Sequence, residues 1–174
     1  MTKIYNYKKQ TNQNASYKHF DALLKISLIL GITIVSGFII YYVLNPEPGY
    51  VTLGILNENK RAENYPTKAS VNETIFFYVS VGNHLNRDFL FQIRIKKGNN
   101  NTILASSTES NGTLAFIIGN YTLKNKDNWI SEQLNISFSE IGEEQLIITE
   151  LWQITKESLI KFYNNVYLRL NITA

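Results

Sequence analysis

The stretch Ile26–Leu44, ISLILGITIVSGFIIYYVL, carries no charged residue in 19 positions. Wound as a helix at about 1.5 Å per residue it extends roughly 28 Å, the thickness of a bilayer's hydrocarbon layer. Phe20 precedes it, and Tyr41 and Tyr42 close its far end, where amphipathic rings favour the headgroup region. Pro46 and Pro48 follow and are expected to stop the helix. A helix in the core of a soluble domain rarely runs so long without a charge, so the expectation is one transmembrane helix over about residues 20–45. A cleaved secretory signal fits less well: its charged region would be unusually long, and no small-x-small cleavage site follows the apolar run. Ser27/Gly31 and Thr33/Gly37 are small pairs four residues apart, a spacing that lets another helix approach closely and is also common in membrane helices generally.

Charge is distributed unevenly around this segment. The net charge is +3, but residues 1–25 hold Lys3, Lys8, Lys9, Lys18 and Lys25 against Asp21 alone. Residues 45–174 hold 12 Lys/Arg and 13 Asp/Glu. The basic character belongs to the N-terminal arm, which argues against a nucleic-acid-binding face on the C-terminal part. Lysines cluster on the cytoplasmic side of membrane helices. The expected arrangement is a basic cytoplasmic arm over 1–19, the span, and an extracellular domain over 46–174, in the plasma membrane.

From Tyr50 onward the apolar period is two, the signature of half-buried strands. In Thr74–Val81, Ile75, Phe77, Val79 and Val81 share a face. In Phe89–Lys97, Phe89, Phe91, Ile93 and Ile95 oppose Gln92, Arg94 and Lys96. Leu134–Phe138 and Val166–Ile172 alternate in the same way, and Tyr50–Leu56, Asn101–Ser107, Leu114–Ile118 and Gln145–Trp152 complete the candidate strands. Turns are expected at Gly82-Asn83, Gly98-Asn99-Asn100, Asn111-Gly112, Lys126-Asp127-Asn128 and Gly142. Residues 154–165 do not alternate and read as a short helix or a long crossover. Seven or eight short strands with one apolar face each describe a mainly β fold, a β-sandwich.

Asparagine carries a second topological signal. Asn-x-Ser/Thr sequons begin at Asn72, Asn100, Asn111, Asn120, Asn135 and Asn171, and one more at Asn14. With 18 Asn and 19 Ser/Thr among residues 45–174, random order gives between two and three sequons; six are present. Asn135 and Asn171 fall on polar strand faces, and Asn100, Asn111 and Asn120 in or beside turns. Sequons are surface acceptors on exported chains, so these six are expected to carry N-linked glycans and Asn14, on the cytoplasmic side, none.

Tyr50-Val-Thr-Leu-Gly54 followed by Lys60-Arg-Ala62-Glu-Asn-Tyr65-Pro66 resembles the extracellular domain of the archaeal domain-of-unknown-function 1616 membrane proteins. The resemblance continues through the Asn72-Glu-Thr74 sequon, Asn83-His84, Trp129, the run LNISFS from Leu134, and the ending Asn171-Ile-Thr173. It covers about Tyr50 to Thr173. It implies an archaeal source and an immunoglobulin-like β-sandwich ectodomain, here expected on a single N-terminal transmembrane helix, and it brings no catalytic residue. Family members usually carry several membrane helices ahead of this domain, and their turn before Ala62 usually has a Gly that this chain lacks. Within the signature, Gly54 suggests a bulge or a close backbone approach. Pro66 holds Tyr65 extended, as in an edge segment entering a sandwich, and the Tyr65 ring is expected inside with its hydroxyl paired.

Reactive chemistry is sparse. Cysteine is absent, and His19 and His84 are the two histidines, which removes thiolate sites and nearly excludes a His-based metal centre. Glu140, Glu143 and Glu144 lack the spacing of a cation loop and read as a solvated turn. His84 reads as a polar turn residue beside Asn83 and Asn86, and Ser106-Ser107 lacks a nucleophile-elbow context. Trp129 and Trp152 read as core or interface anchors. No catalytic, cofactor-binding or metal-ligating residue is expected. The function expected is that of a non-enzymatic, membrane-anchored surface protein, an accessory or structural subunit working with other membrane or envelope proteins. One alternative stays open. Asp21-Ala22-Leu23-Leu24 resembles the processing site of archaeal type IV pilin precursors, which implies a filament subunit beginning at Leu23.

Overall fold

The computed structural model describes residues 2–45, 48–155 and 157–174, with side chains from residue 17 onward. The chain divides into two units, Met1–Glu47 and Pro48–Ala174.

The first unit is a single helix, α1, Thr2–Leu44. No proline interrupts it. Thr33 Oγ1 donates to the Ile29 carbonyl one turn back, at 2.9 Å, which keeps its hydroxyl paired inside the apolar stretch. At the C-terminal end both the backbone N–H of Asn45 (2.9 Å) and its side-chain Nδ2 (3.1 Å) donate to the Tyr41 carbonyl. They satisfy an acceptor that the helix leaves open. Pro46, the expected terminator, lies outside the described residues. Lys25 and Asp21, four residues apart, form an exposed ion pair at 2.7 Å. Exposed pairs of this kind contribute only a few tenths of a kcal/mol.

The described residues of the second unit form nine strands: β1 Tyr50–Leu56, β2 Lys68–Ser70, β3 Ile75–His84, β4 Phe89–Gly98, β5 Thr113–Leu123, β6 Asn128–Ile130, β7 Leu134–Ile136, β8 Gly142–Ile154 and β9 Ile160–Thr173. One sheet is ordered β1-β3-β6, with β7 also paired to β3; the other is ordered β2-β9-β8-β4-β5. All pairs are antiparallel except β2 with β9. The chain crosses between sheets from β1 to β2, β2 to β3, β3 to β4, β5 to β6 and β7 to β8. Two antiparallel sheets exchanging strands in this order form an immunoglobulin-like β-sandwich.

The alternating residues supply the core. Phe77, Val79 and Val81 from β3 meet Phe89, Phe91, Ile93 and Ile95 from β4, Ile147 and Leu151 from β8, and Leu170 and Ile172 from β9. Phe91 lies at its aromatic centre: the Trp129 ring meets it edge-on at 5.5 Å, Phe89 stacks at 5.8 Å and Tyr121 stands at 5.9 Å.

The signature residues behave as fold determinants. Register across Gly54 is unbroken, so it marks a close approach and no bulge: a Cβ there would stand 2.8 Å from Ser80 Oγ on the neighbouring strand. The segment through Pro66 leads into β2, an edge strand beside β9. The Tyr65 ring packs on the core and its hydroxyl donates to the Ile55 carbonyl at 2.7 Å. Burial raises the Tyr65 phenol above its ordinary value of 10.0. A folded-state value above the unfolded one means that this contribution is complete below about pH 10 and fades as pH rises through the folded value. Tyr65→Phe keeps the ring and removes the bond. It is expected to cost about 0.5–1.5 kcal/mol near neutrality and to flatten the alkaline fall in stability, both read from denaturant melts at several pH values.

Several expectations are corrected. Asn101–Ser107 is not a strand but part of a loop joining β4 to β5. Among the described residues of 154–165 there is no helix: β8 runs to Ile154, β9 starts at Ile160, and the Thr155 N–H donates to the Leu159 carbonyl at 2.9 Å. Gly82-Asn83 is strand, because Asn83 ties down the strand end itself. Its Nδ2 donates to the Arg87 and Leu123 carbonyls at 2.8 and 2.9 Å, and its Oδ1 accepts the Leu85 N–H at 3.0 Å. His84 therefore ends β3, stacked on Tyr50 at 4.7 Å, and the turn falls at Leu85–Arg87. Gly142 opens β8 where a turn was expected, and Asn128 opens β6.

Candidate functional site

All six sequon asparagines of the β domain are exposed. Asn72 sits in the β2–β3 turn at φ 63°, its N–H bonded to the Phe138 carbonyl at 2.8 Å. Asn100 lies in the turn after β4. Asn111 lies just ahead of β5, its Oδ1 accepting the Ile103 N–H at 2.8 Å. Asn135 is on β7 opposite Phe76, and Asn171 is on β9, its Oδ1 accepting the Glu144 N–H at 3.0 Å. In each of those two carbonyl contacts the amide nitrogen, the atom that would carry sugar, is not the group engaged. Asn120 departs from expectation: it lies inside β5, not in a turn. Phe91 pairs with Tyr121 and Gln92 with Gly119, so Asn120 is the extra residue of a bulge, at φ 72°. Gly119 permits that bulge: at φ 137° its missing Cβ would stand 2.6 Å from Gln92 Cα.

The sandwich sorts these positions. The chain enters at Tyr50, at the end where His84, Phe89, Leu123 and Ile154 also lie. Asn72, Asn100, Asn111, Asn135 and Asn171 all sit toward the opposite end, and Asn120 is nearer the entry.

A second constellation was not legible as a site. On the outer face of the five-stranded sheet, Glu150 is 0% exposed. Its Oε1 accepts the Ser110 N–H and hydroxyl, each at 2.7 Å, and its Oε2 accepts Trp152 Nε1–H at 3.0 Å. Lys96, half of an ion pair with Glu150 at 3.2 Å, also donates to the Ser110 carbonyl at 2.8 Å and to Glu109 at 3.2 Å. The Arg94 guanidinium stacks on Trp152 at 3.8 Å. The loop after β4 covers this face and is anchored again where Asn165 Nδ2 donates to the Ala105 carbonyl at 2.9 Å. Glu150, Lys96, Ser110 and the Trp152 N–H all pair with one another or with the loop, so the arrangement is a clasp holding a loop to a sheet.

The remaining candidates are structural. Glu144 pairs with Arg169 at 3.0 Å on the β8–β9 surface, and Glu140 is solvated. Trp129 packs into the core edge against Phe91 and Tyr121. Among the described residues no three His, Asp or Glu side chains come together as metal ligands.

The first unit offers a different feature. Within α1, Tyr17–Leu44 is long and apolar enough to cross a membrane, and none of its apolar window is buried. A helix that is apolar all round belongs in a core or in a bilayer.

No protein-family model matches the chain, and no curated protein matches it. Solved structures do resemble it. A CARDB domain from Pyrococcus furiosus, crystallised in complex with di-metal ions, is 16% identical with a TM-score of 0.48, over 73% of this chain and 90% of that one. The C-terminal domain of wzt is 11% identical with a TM-score of 0.45, over 74% and 80%. Spo0M of Bacillus subtilis, a sporulation control protein, is also 11% identical with a TM-score of 0.45, over 72% and 50%. At these values the likeness says nothing of what this chain binds or does.

Proposed function

We propose that this chain is a non-enzymatic, single-pass membrane protein whose β-sandwich stands on the outer surface of the cell and serves a larger membrane or envelope assembly. The observation that carries this reading is the uncovered apolar stretch of α1, Tyr17–Leu44. The lysine excess before it supports a cytoplasmic N-terminus, and the exposure of all six downstream sequons supports an outer domain bearing N-linked glycans. The resemblance to the domain-of-unknown-function 1616 proteins supports the same kind of surface module. Its partners are the lipid bilayer and other membrane or envelope proteins, met through surface and not through a reactive centre.

Membrane extraction tests the anchor. The full chain is expected to stay with membranes through alkaline carbonate washing, and a chain starting at residue 46 to be released. Release of the full chain would defeat the reading. Glycopeptide mass spectrometry of the native protein is expected to find sugar on at least two of the six asparagines and none on Asn14. Sugar on Asn14 with the six bare would reverse the topology.

A filament subunit is the second reading, favoured by the continuity of α1 through Asp21–Leu24 into the apolar stretch. Cleavage before Leu23 would remove Asp21, the partner of Lys25, and leave an ammonium alone at the head of an apolar helix. A mature N-terminus at Leu23 would establish this reading; Met1 or Thr2 would exclude it.

A further inference from the structure

Along β3 the alternate residues Ile75, Phe77 and Val79 are buried in the core, so Phe76 and Tyr78 face outward. Tyr78 is covered, with Lys60 Nζ 5.0 Å from its ring centre. Phe76 is 44% exposed.

A sequon stands beside that ring. β6 and β7 run in turn along one side of β3, and between them the Ser131 N–H donates to the Val79 carbonyl at 2.9 Å. On β7, Leu134 and Ile136 are buried, so Asn135 faces outward, and it pairs directly with Phe76. Directly opposed residues hold their Cβ atoms about 5 Å apart. On the other side of β3, beyond the end of β1 at Leu56, lies a groove of about 800 Å³. Phe76 lines it together with Glu58, Asn59, Arg61, Asn64 and Glu73. Sequon, exposed ring and polar groove thus follow one another across the sheet. From β7 to the β1 side of β3 is two strand spacings, roughly 10 Å, a distance that two linked sugars bridge.

A pyranose ring has an apolar C–H face and a rim of hydroxyls. The face suits an aromatic ring, whose π surface is negative. The hydroxyls suit carboxylates, amides and a guanidinium. We propose that the N-glycan of Asn135 folds back over Phe76 and seats its outer sugars in this groove, an inference that rests on the glycosylation reading. The chain's own glycan is the occupant because its attachment point adjoins the ring. Tethering gives it an effective concentration near the millimolar range, so contacts too weak to capture a free saccharide suffice.

Hydrogen exchange followed by mass spectrometry, on the glycosylated full chain in detergent, reads the seat. Ser137→Ala removes the sequon, and Phe76→Thr removes the ring while keeping a strand-forming residue. With Phe76 in place, Ser137→Ala is expected to speed exchange across residues 57–64 by about threefold or more, because a covered loop opens less often. Phe76→Thr alone should speed it as much, and adding Ser137→Ala to Phe76→Thr should change nothing further. Thr113→Ala, which removes the sequon of Asn111, should leave exchange at these residues as it is. Glycopeptides of the native chain separate the two ways of failing. A bare Asn135 there overturns the glycosylation reading at this site and the seat with it. An occupied Asn135 whose loss leaves residues 57–64 unchanged overturns the seat while glycosylation stands. An equal effect of Ser137→Ala in the Phe76→Thr background overturns Phe76 as the platform. An effect that fades on dilution shows a glycan reaching across from another copy and overturns the tethered arrangement.

Discussion

Phe91→Ala is expected to destabilise the β domain by about 3–5 kcal/mol, the range for deleting a buried aromatic ring. Phe91 is 0% exposed, at the point where the two sheets meet the Trp129, Tyr121 and Phe89 rings. The neighbours are held by three different strands, so little can move to fill the space. Domains of this size are stable by only about 5–15 kcal/mol, and the loss translates into a fall in melting temperature of roughly 10–20 °C. Thermal unfolding followed by circular dichroism measures it. A change below about 1 kcal/mol, the level of an ordinary surface substitution, would mean that Phe91 is not at the centre of the core.

The second large effect concerns the clasp on the outer face. Lys96→Met removes the cation facing Glu150 and is expected to cost about 3 kcal/mol or more, because a buried carboxylate then lacks its counter-charge. Lys96→Met together with Glu150→Leu should recover much of that loss, since apolar residues of similar size replace a buried pair at little net cost. Ser110 and Trp152 would then lose an acceptor, which keeps the double variant somewhat below the natural chain. Chemical denaturation of the two single variants and the double variant closes the cycle. Additive losses would show that Lys96 and Glu150 act independently and that the loop is held by other contacts.

The clasp also explains where sequence reasoning stopped. Alternation located β3, β4, β7 and the second half of β9 because each buries one face on the core, and the period follows directly from that. Alternation also assigned Gln92 and Lys96 to a solvent face. They do point away from the core, yet both are 6% exposed, and Lys96 is held there by Glu109 and Ser110 of the loop that follows β4. Nothing local in Asn101–Ser107 distinguishes a strand from a loop that packs its backbone on a neighbouring sheet; only the distant acceptor Glu150 does so. Glu150, the one charge within the apolar run Leu146–Ile154, was the available signal, since a carboxylate in such a run must be paired. The short strands β2 and β6 exist through pairing with β9 and β3, a long-range cause that leaves no periodic trace. Asn120 read as a turn residue because bulge and turn share the same left-handed residues.

For the sequon asparagines, exposure was legible and arrangement was not. Polar strand faces and turns predicted that Asn135, Asn171, Asn100 and Asn111 would be accessible. Their gathering toward one end depends on strand order, which no single sequence displays.

The central claim is a topology: basic arm inside, one crossing helix, β domain outside. Protease added to intact cells carrying one tag at Met1 and another after Ala174 tests it most directly. The expected result is loss of the C-terminal tag, with the N-terminal tag retained on a protected fragment that contains Ile26–Leu44. Protection of the C-terminal tag in intact cells, with its loss only after lysis, would place the β domain inside and contradict the account.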